Sequence, residues 1–261
     1  MKIAICYFGL SGGKNDKNDP VTNIYPLDTI KKHIINNNVK RGHTFDIFFH
    51  TWECKELHKD TLINQYNPVK YIIDKRIKFN DDVKWNYIYS RWYSHSKVIT
   101  LKKQYEIENN FEYDYVLLLR FDLIFLVNID FNFSNNYIYA GNWCDASPHI
   151  QQEGLIDYWF IANSKHMDIF GTLYDNLDNY KNEYGDTVKS NHTLSKLHLK
   201  KNNIDNMIRH ILIEVAHFNL DRWKNRYNFN TNWMNKYKKL THLTDFNKAI
   251  TIEECVYNFI K

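Results

Sequence analysis

Two charged side chains, Arg120 and Asp122, lie within the most apolar stretch of the chain, YDYVLLLRFDLIF at residues 113–125. Residues two apart in a strand share a face, so both side chains should point the same way. The carboxyl edge of an open α/β sheet is where such folds bind ligands. There the carboxylate could hold a divalent cation on a diphosphate, while the arginine neutralises phosphate charge. A simple strand-end salt bridge would explain the same pair equally well.

A turn rich in small residues follows the first predicted strand, at residues 3–8. Its sequence, GLSGG at residues 9–13, satisfies neither the dinucleotide-binding fingerprint nor the P-loop fingerprint. Two interpretations stay open: a flexible connecting loop, or a turn whose small residues let the backbone approach a ligand closely.

Asp157 is the candidate for proton transfer, because it precedes a short aromatic strand and carries a carboxylate that could accept a proton from a hydroxyl. A solvated loop acid would explain it as well, and Glu153 and Asp145 are weaker candidates. Trp143 is expected to line the same cleft as Asp157, since loops at a sheet edge carry function more often than the scaffold does. His50, near the end of the second predicted strand, is a candidate ligand contact with a structural role as the alternative.

Apolar periodicity predicts the elements that must position these residues. Strands are expected at residues 3–8, 45–52, 69–74 and 113–119, and helices at 27–35 and 87–109. This order indicates an α/β fold with a mostly parallel, doubly wound sheet and flanking helices. Farther along, the pattern predicts short strands at 137–140 and 158–162, helices at 166–177 and 192–200, and a strand or short helix at 207–215.

Length and charge narrow the class of protein. The 261 residues fit one domain at 1–220, with an aromatic and basic extension at 221–261 packed on it. A net charge of +4 with dispersed Lys and Arg argues against nucleic acid as the main partner. The four cysteines form no CxxC pair, which predicts reduced thiols in a cytoplasmic protein. The apolar run at the N-terminus is too short for a signal peptide, and no transmembrane segment is predicted.

Several blocks resemble those of GT-A-like glycosyltransferases found in bacterial surface-polysaccharide clusters and in large DNA viruses. They are FDIFFHTW at 45–52, RWYSHSKVITLKKQYE at 91–106, YDYVLLLRFDLIF at 113–125 and GLIDYWFIANSKHMDIF at 154–170. In this family a strand ending in an R-x-D pattern takes the place of the usual D-x-D. The resemblance lies in the order of the blocks and extends over roughly residues 1–215.

The resemblance implies a GT-A-like, Rossmann-like fold and transfer of a sugar from a UDP- or GDP-sugar to a glycan or other hydroxyl acceptor. It implies Mn²⁺ or Mg²⁺ on Asp122, although Arg120 in place of the first Asp leaves strict metal dependence open. Asp157 is then the candidate catalytic residue. The donor is expected at Phe8, Gly9, Ser11, Arg120 and Asp122. A non-catalytic carbohydrate-binding protein is the alternative, since it would explain the 16% aromatic content but would not need the Arg120–Asp122 pair.

Overall fold

The central element is a seven-stranded mixed sheet with apolar side chains buried on both faces. The computed structural model describes residues 1–14, 24–54, 59–142, 154–213, 217–220 and 247. The strands of this sheet are β1 (Lys2–Gly9), β2 (Thr44–Trp52), β3 (Lys70–Asp74), β4 (Tyr115–Arg120), β6 (Ile138–Asn142), β7 (Trp159–Ala162) and β8 (Ile208–Ile213). Two short strands, β5 (Leu123–Phe125) and β9 (Phe218–Leu220), form a separate antiparallel pair.

The strand order is β3-β2-β1-β4-β7-β6-β8. The first four strands are parallel, whereas β7 runs antiparallel to both β4 and β6. The chain moves outward from β1 to β3 and then returns to place β4 on the other side of β1. The order therefore reverses between β1 and β4, and open α/β sheets bind ligands beyond the carboxyl ends of strands at such a point.

The helices are α1 (Ile24–Ile30), α2 (Asn36–Val39), α3 (Lys59–Tyr66), α4 (Val83–Asn109), α5 (Ser164–Gly171), α6 (Leu177–Tyr184) and α7 (Asn191–Lys201). A π-helical turn, Lys31–Ile35, joins α1 to α2. The longest helix, α4, is capped at its start by Asp82, whose side chain accepts a hydrogen bond from the Trp85 amide, and at its end by Asn110 in the left-handed conformation. This helix returns the chain from β3 to β4.

The first strand, β1, shows why the sequences of the sheet strands are continuous apolar runs. Ile3, Ile5 and Tyr7 belong to the core on one face, while Ala4, Cys6 and Phe8 belong to the core on the other. Because both faces are covered, neither set of alternating positions needs to be polar. Polar groups can therefore be presented at the ends of such a strand, and at the carboxyl end the chain turns out of the sheet.

A buried charged cluster fastens α4 to α5. The Lys102 ammonium, fully buried, lies 2.9 Å from Glu106, 2.5 Å from Asp168 and 2.5 Å from the Ser164 hydroxyl. Glu106 also accepts a hydrogen bond from the Tyr113 amide, just before β4. The cluster thus links α4, α5 and the approach to β4.

The structure agrees with most of the predicted elements and differs in two respects. The strand expected at 158–162 exists, but its antiparallel direction was not predicted, because a short apolar run does not encode direction. The helix expected at 166–177 ends earlier than predicted: α5 stops at Gly171, the 3₁₀ turn Tyr174–Asn176 follows, and α6 begins only at Leu177. Of the two alternatives at 207–215, the structure has a strand. The predicted extension at 221–261 lies outside the described residues, apart from residue 247.

Candidate functional site

The candidate site begins where β1 and β4 leave the sheet side by side. Phe8 in β1 is paired in register with Arg120 in β4. The glycine turn that follows β1 and the Arg120-Phe121-Asp122 segment therefore emerge together at the reversal point of the sheet. Phe121 points into the core and stacks on Tyr7, with 5.2 Å between ring centroids. The charged residues on either side of Phe121 stay together, as the sequence predicts.

Arg120 and Asp122 form a bidentate ion pair. Arg120 Nε lies 2.8 Å from Asp122 Oδ1, and Nη2 lies 2.8 Å from Oδ2. Asp122 is only 2% exposed, whereas the Arg120 side chain is 24% exposed. Burial opposes the charge on Arg120, but the adjacent Asp122 outweighs burial and raises the pKa of the guanidinium. The guanidinium of Arg120 is therefore held in its charged form.

The ion pair with Arg120 limits the ability of Asp122 to bind the expected cation. A divalent cation takes several oxygen ligands, and both oxygens of Asp122 already accept from a guanidinium, whose positive charge repels a metal ion. Within the part of the chain that the structure describes, no group of three or more His, Cys, Asp or Glu side chains could hold a metal. The described residues thus do not fit a resident Mn²⁺ or Mg²⁺, and Arg120 supplies the positive charge at this position.

Asp157 reaches the same edge because β7 is antiparallel to β4. A strand that runs the opposite way begins where β4 ends, and the Arg120 amide donates to the Tyr158 carbonyl at 3.2 Å. Asp157 is 6% exposed. Its Oδ2 lies 3.3 Å from Arg91 Nε, and its Oδ1 lies 3.3 Å from His192 Nδ1. The predicted carboxylate is therefore a buried ion-pair partner.

Burial by itself would raise the pKa of Asp157. The charges of Arg91, His192 and Arg120 outweigh burial and lower that pKa, so Asp157 is held as the carboxylate. A carboxylate stabilised in this way has little tendency to take up a proton.

Arg91 is a site residue that sequence reasoning missed. It projects from α4, donates from Nη2 to the Asp157 carbonyl at 2.5 Å, and lies over the Phe8 ring at 4.6 Å from its centroid. Burial lowers its pKa to about 10, with Asp157 acting in the opposite direction, so it stays protonated at neutral pH. The signal available in the sequence was a cation at helical spacing from Ile88 and His95, both on the buried side of α4.

His192 was also missed, although the 192–200 helix was predicted. It lies in the first turn of α7, and two backbone features fix its position. The Leu155 amide donates to the His192 carbonyl at 3.0 Å, and His192 Nδ1 lies 2.9 Å from the Leu155 carbonyl. At Gly154 an added Cβ would lie only 2.8 Å from the carbonyl carbon of His192. The glycine therefore permits the close approach that brings His192 to Asp157.

Side chains of β2 and α4 stabilise the glycine turn (residues 9–13) from the interior of the protein. Gly9 adopts φ of 95°, and its amide donates to Ser94 Oγ at 2.8 Å. Ser11 is buried, and both its amide and its hydroxyl contact Thr51 Oγ1, at 3.1 and 2.9 Å. The polar groups of Ser11 thus stabilise the turn itself.

His50 supports this turn through Ser94. His50 Nδ1 lies 2.7 Å from Ser94 Oγ, and Nε2 lies 3.2 Å from Asp74 Oδ2, which also accepts from the Tyr93 hydroxyl. The ring is fully buried, and burial lowers its pKa to about 4 against the opposing effect of Asp74. Neutral His50 therefore accepts from Ser94 and donates to Asp74. It lies behind the turn, which favours the structural alternative over direct ligand contact.

The structure thus places the predicted donor residues and the predicted catalytic residue at one edge of the sheet. The Phe8 ring is buried under Arg91, so only the backbone at this position is suited to a donor contact. Trp143, Asp145 and Glu153 lie outside the described residues.

The resulting cluster consists of two arginines and two carboxylates, arranged as Arg120 with Asp122 and Arg91 with Asp157. The two pairs also interact with each other. The charge of Asp157 acts to raise the pKa of Arg120, and the charge of Asp122 acts to raise the pKa of Arg91. The two positive and two negative charges of the cluster cancel. Each guanidinium is paired with a carboxylate, and a ligand with more negative charge, such as a diphosphate, could displace that carboxylate.

No helix among the described residues combines the length and apolarity that a membrane span requires. Neither a protein-family model nor a curated protein sequence matches this chain. Its function must therefore be inferred from the geometry of the site and from the order of the sequence blocks.

Proposed function

We propose that the protein is a glycosyltransferase of GT-A-like fold that moves a sugar from a UDP- or GDP-sugar to a hydroxyl acceptor, such as a glycan. The observation that carries this proposal is the pair of arginine–carboxylate contacts beside the glycine turn, at the point where the strand order reverses. Such a point is where open α/β sheets bind ligands.

The donor diphosphate would lie against Arg120, whose side chain is the more exposed partner of its ion pair. Guanidinium groups bind phosphate oxygens with two parallel hydrogen bonds, and they do so most strongly where water is excluded. When the sugar–phosphate bond breaks, negative charge builds up on the leaving nucleotide. A fixed positive group stabilises that charge in the transition state more than in the ground state.

The turn at residues 9–13 suits the nucleoside end of the donor. Gly9 adopts a left-handed conformation, and the Ser94 and Thr51 contacts hold the turn rigid from within the protein. Ligand binding then orders few additional backbone torsions, which preserves affinity.

Calorimetric titration of the full chain with UDP, GDP, UDP-glucose and GDP-mannose tests the proposal. At least one nucleotide should bind, and Arg120→Ala should weaken it. The titrations are run with EDTA and again with Mn²⁺, because a bound cation would neutralise further diphosphate charge. Absence of nucleotide binding at millimolar concentration in both conditions would exclude the transferase. Binding of glycans without nucleotides would instead favour the carbohydrate-binding alternative.

A further inference from the structure

A continuous series of hydrogen bonds joins the glycine turn to the end of β3. The Gly9 amide donates to Ser94 Oγ at 2.8 Å, and Ser94 Oγ lies 2.7 Å from His50 Nδ1. On the other side of the ring, His50 Nε2 lies 3.2 Å from Asp74 Oδ2. The four residues belong to β1, α4, β2 and β3. The turn is therefore connected through three side chains to the edge strand of the sheet.

The direction of these hydrogen bonds is fixed by the two ends of the series. A backbone amide can only donate, and a carboxylate can only accept. Because His50 Nε2 faces the Asp74 carboxylate, Nε2 carries the proton of the neutral ring and Nδ1 accepts. Ser94 Oγ therefore accepts from Gly9 and donates its own proton to His50. Each link supplies one donor and one acceptor, so the members fix one another's orientation.

The two middle members of the series are shielded from water. Neither His50 nor Ser94 has any exposed surface. Water cannot easily replace a buried acceptor, so a lost hydrogen bond here leaves its partner unsatisfied. Tyr93, beside Ser94 in the sequence, donates to the same Asp74 oxygen at 3.1 Å. This second donor helps to fix Asp74 at the far end.

The turn that receives these contacts has little rigidity of its own. Three of its five residues are glycines, at positions 9, 12 and 13. Gly9 and Gly13 adopt φ values of 95° and 77°. Glycine has access to many backbone conformations, so the sequence of the turn does not by itself select one of them. The contact between the Gly9 amide and Ser94 favours the observed conformation.

We infer that Ser94 and His50 are positioning residues for nucleotide binding, which act through the Gly9 amide, and that Asp74 orients His50 for this role. Asp74, His50 and Ser94 are called the relay below. This inference rests on the proposed glycosyltransferase function and deepens it. The relay sets the fraction of molecules whose turn is ready to receive the nucleoside, and apparent affinity is proportional to that fraction. Arg120 binds the diphosphate without help from the relay.

The relay predicts a graded effect along its length. Ser94→Ala removes the acceptor of the Gly9 amide, so the turn loses its link completely. His50→Leu leaves Ser94 able to accept from Gly9. The Ser94 hydroxyl can then donate only to the carbonyl of residue 50, which lies 3.4 Å away. The substitution nearer to the turn should therefore have the larger effect.

Calorimetric titration of the full chain with UDP and GDP tests the relay, and pyrophosphate is measured by its displacement of the bound nucleotide. Ser94→Ala should weaken nucleotide binding about tenfold and His50→Leu about threefold, as the competent fraction falls. The affinity for pyrophosphate should stay within about twofold of the wild type in both variants, because pyrophosphate lacks the nucleoside. Arg120→Ala should weaken the binding of nucleotide and pyrophosphate alike.

Ser96→Ala is the matched control. It removes the same hydroxyl group from the same helix, and residues two apart on a helix do not face each other. This variant should keep the wild-type affinity for every ligand. Melting curves identify any variant that does not fold, and His50→Leu tests the relay if Ser94→Ala is unfolded.

Wild-type nucleotide affinity in a folded Ser94→Ala protein would overturn the inference. Equal losses for nucleotide and pyrophosphate would also overturn it, since they would indicate general damage to the site. Unfolding of both variants would show that the fold, rather than the ligand, requires the relay. In each of these cases the wild type still binds a nucleotide and the proposed function stands. A wild type that binds no nucleotide would refute the proposed function and the inference together.

Discussion

The Arg120–Asp122 pair combines the two interpretations that its sequence leaves open. It is a salt bridge, and it lies at the edge of the sheet where a ligand would bind. Because both carboxylate oxygens contact the guanidinium, Asp122 neutralises part of the charge that Arg120 offers to an incoming phosphate. The acid therefore sets how strongly the arginine can hold an anion.

Opposite effects on nucleotide affinity are expected from the two partners. Asp122→Asn is nearly isosteric and removes the competing charge, so it should tighten metal-free binding of UDP or GDP several-fold. Arg120→Ala should weaken binding about tenfold or more, since a hydrogen bond to a charged group contributes about 1.5–3 kcal/mol. Calorimetry in EDTA measures both.

A cation on Asp122 would produce the reverse result for the first variant. If Asp122→Asn loses affinity only when Mn²⁺ is present, then Asp122 binds the metal and the ion pair opens when the donor arrives. Melting curves of both variants check that the fold is retained.

Lys102 presents a different situation, because its charge is completely buried. Lys102→Met leaves Glu106 and Asp168 without their shared partner, and removing one member of a buried ion pair costs about 3–5 kcal/mol. The neighbouring Lys103 provides the control, since it is 57% exposed and also contacts Asp168. Lys103→Met should change the free energy of unfolding by less than about 1 kcal/mol. Urea denaturation compares the two, and equal losses would contradict the role assigned to the cluster.

At the scale of elements, the reversed direction of β7 is what completes the site. A parallel strand in its place would begin at the opposite edge of the sheet and carry Asp157 away from Arg120. The start of α7 then has to meet the entry into β7 closely, and this contact depends on a residue without a side chain at position 154.

Gly154→Ala should separate α7 from β7. The added Cβ would lie 2.8 Å from His192 backbone and side-chain carbons, and backbone cannot move aside as a flexible side chain can. We expect a loss of about 1–3 kcal/mol in the free energy of unfolding, measured by urea denaturation. Gly12→Ala is the matched control, since its Cβ would meet only Cys54 Sγ, at an ordinary 3.5 Å. An equal loss in both variants would mean that the contact at His192 is not the cause.

The sequence predicted the elements whose pattern is local. The apolar runs of β1, β2 and β4 and the long helix α4 were recognisable, and so were Arg120 and Asp122, because they interrupt an apolar run. The direction of β7 was not predictable, since it depends on which neighbour the strand pairs with. Arg91 and His192 acquire their roles only through contacts with Asp157, which lies 66 and 35 residues away along the chain.

At the scale of the whole molecule, several histidines among the described residues lie where burial disfavours their charged form. Burial lowers the pKa of His50 and His217 to about 4, and it also lowers the pKa of His95 and His198. On unfolding each ring regains an ordinary pKa near 6.5. The unfolded chain therefore binds more protons than the folded protein between about pH 6.5 and 4.

Stability should consequently fall as the pH drops through this window and should level off above about pH 7. Each unit of pKa difference corresponds to about 1.4 kcal/mol, so His50 alone should account for roughly 3 kcal/mol between pH 7 and 4. Urea unfolding across this range measures the slope. His50→Asn should make the slope shallower, and an unchanged slope would show that His50 does not titrate as assigned.

The antiparallel β7 also has a consequence for how the protein is made. Gly9, Arg91 and Arg120 all precede Asp157 and His192 along the chain, and β4 can pair with β7 only after residue 162 has been synthesised. Contacts between residues far apart in the sequence form late in folding, because closing the long loop between them costs conformational entropy before the contacts themselves stabilise the structure. Under the proposed function, a growing chain acquires its phosphate-binding arginines well before Asp157 and His192 come into contact. Full capture and turnover of a donor would therefore arise late, once about three quarters of the chain has been made.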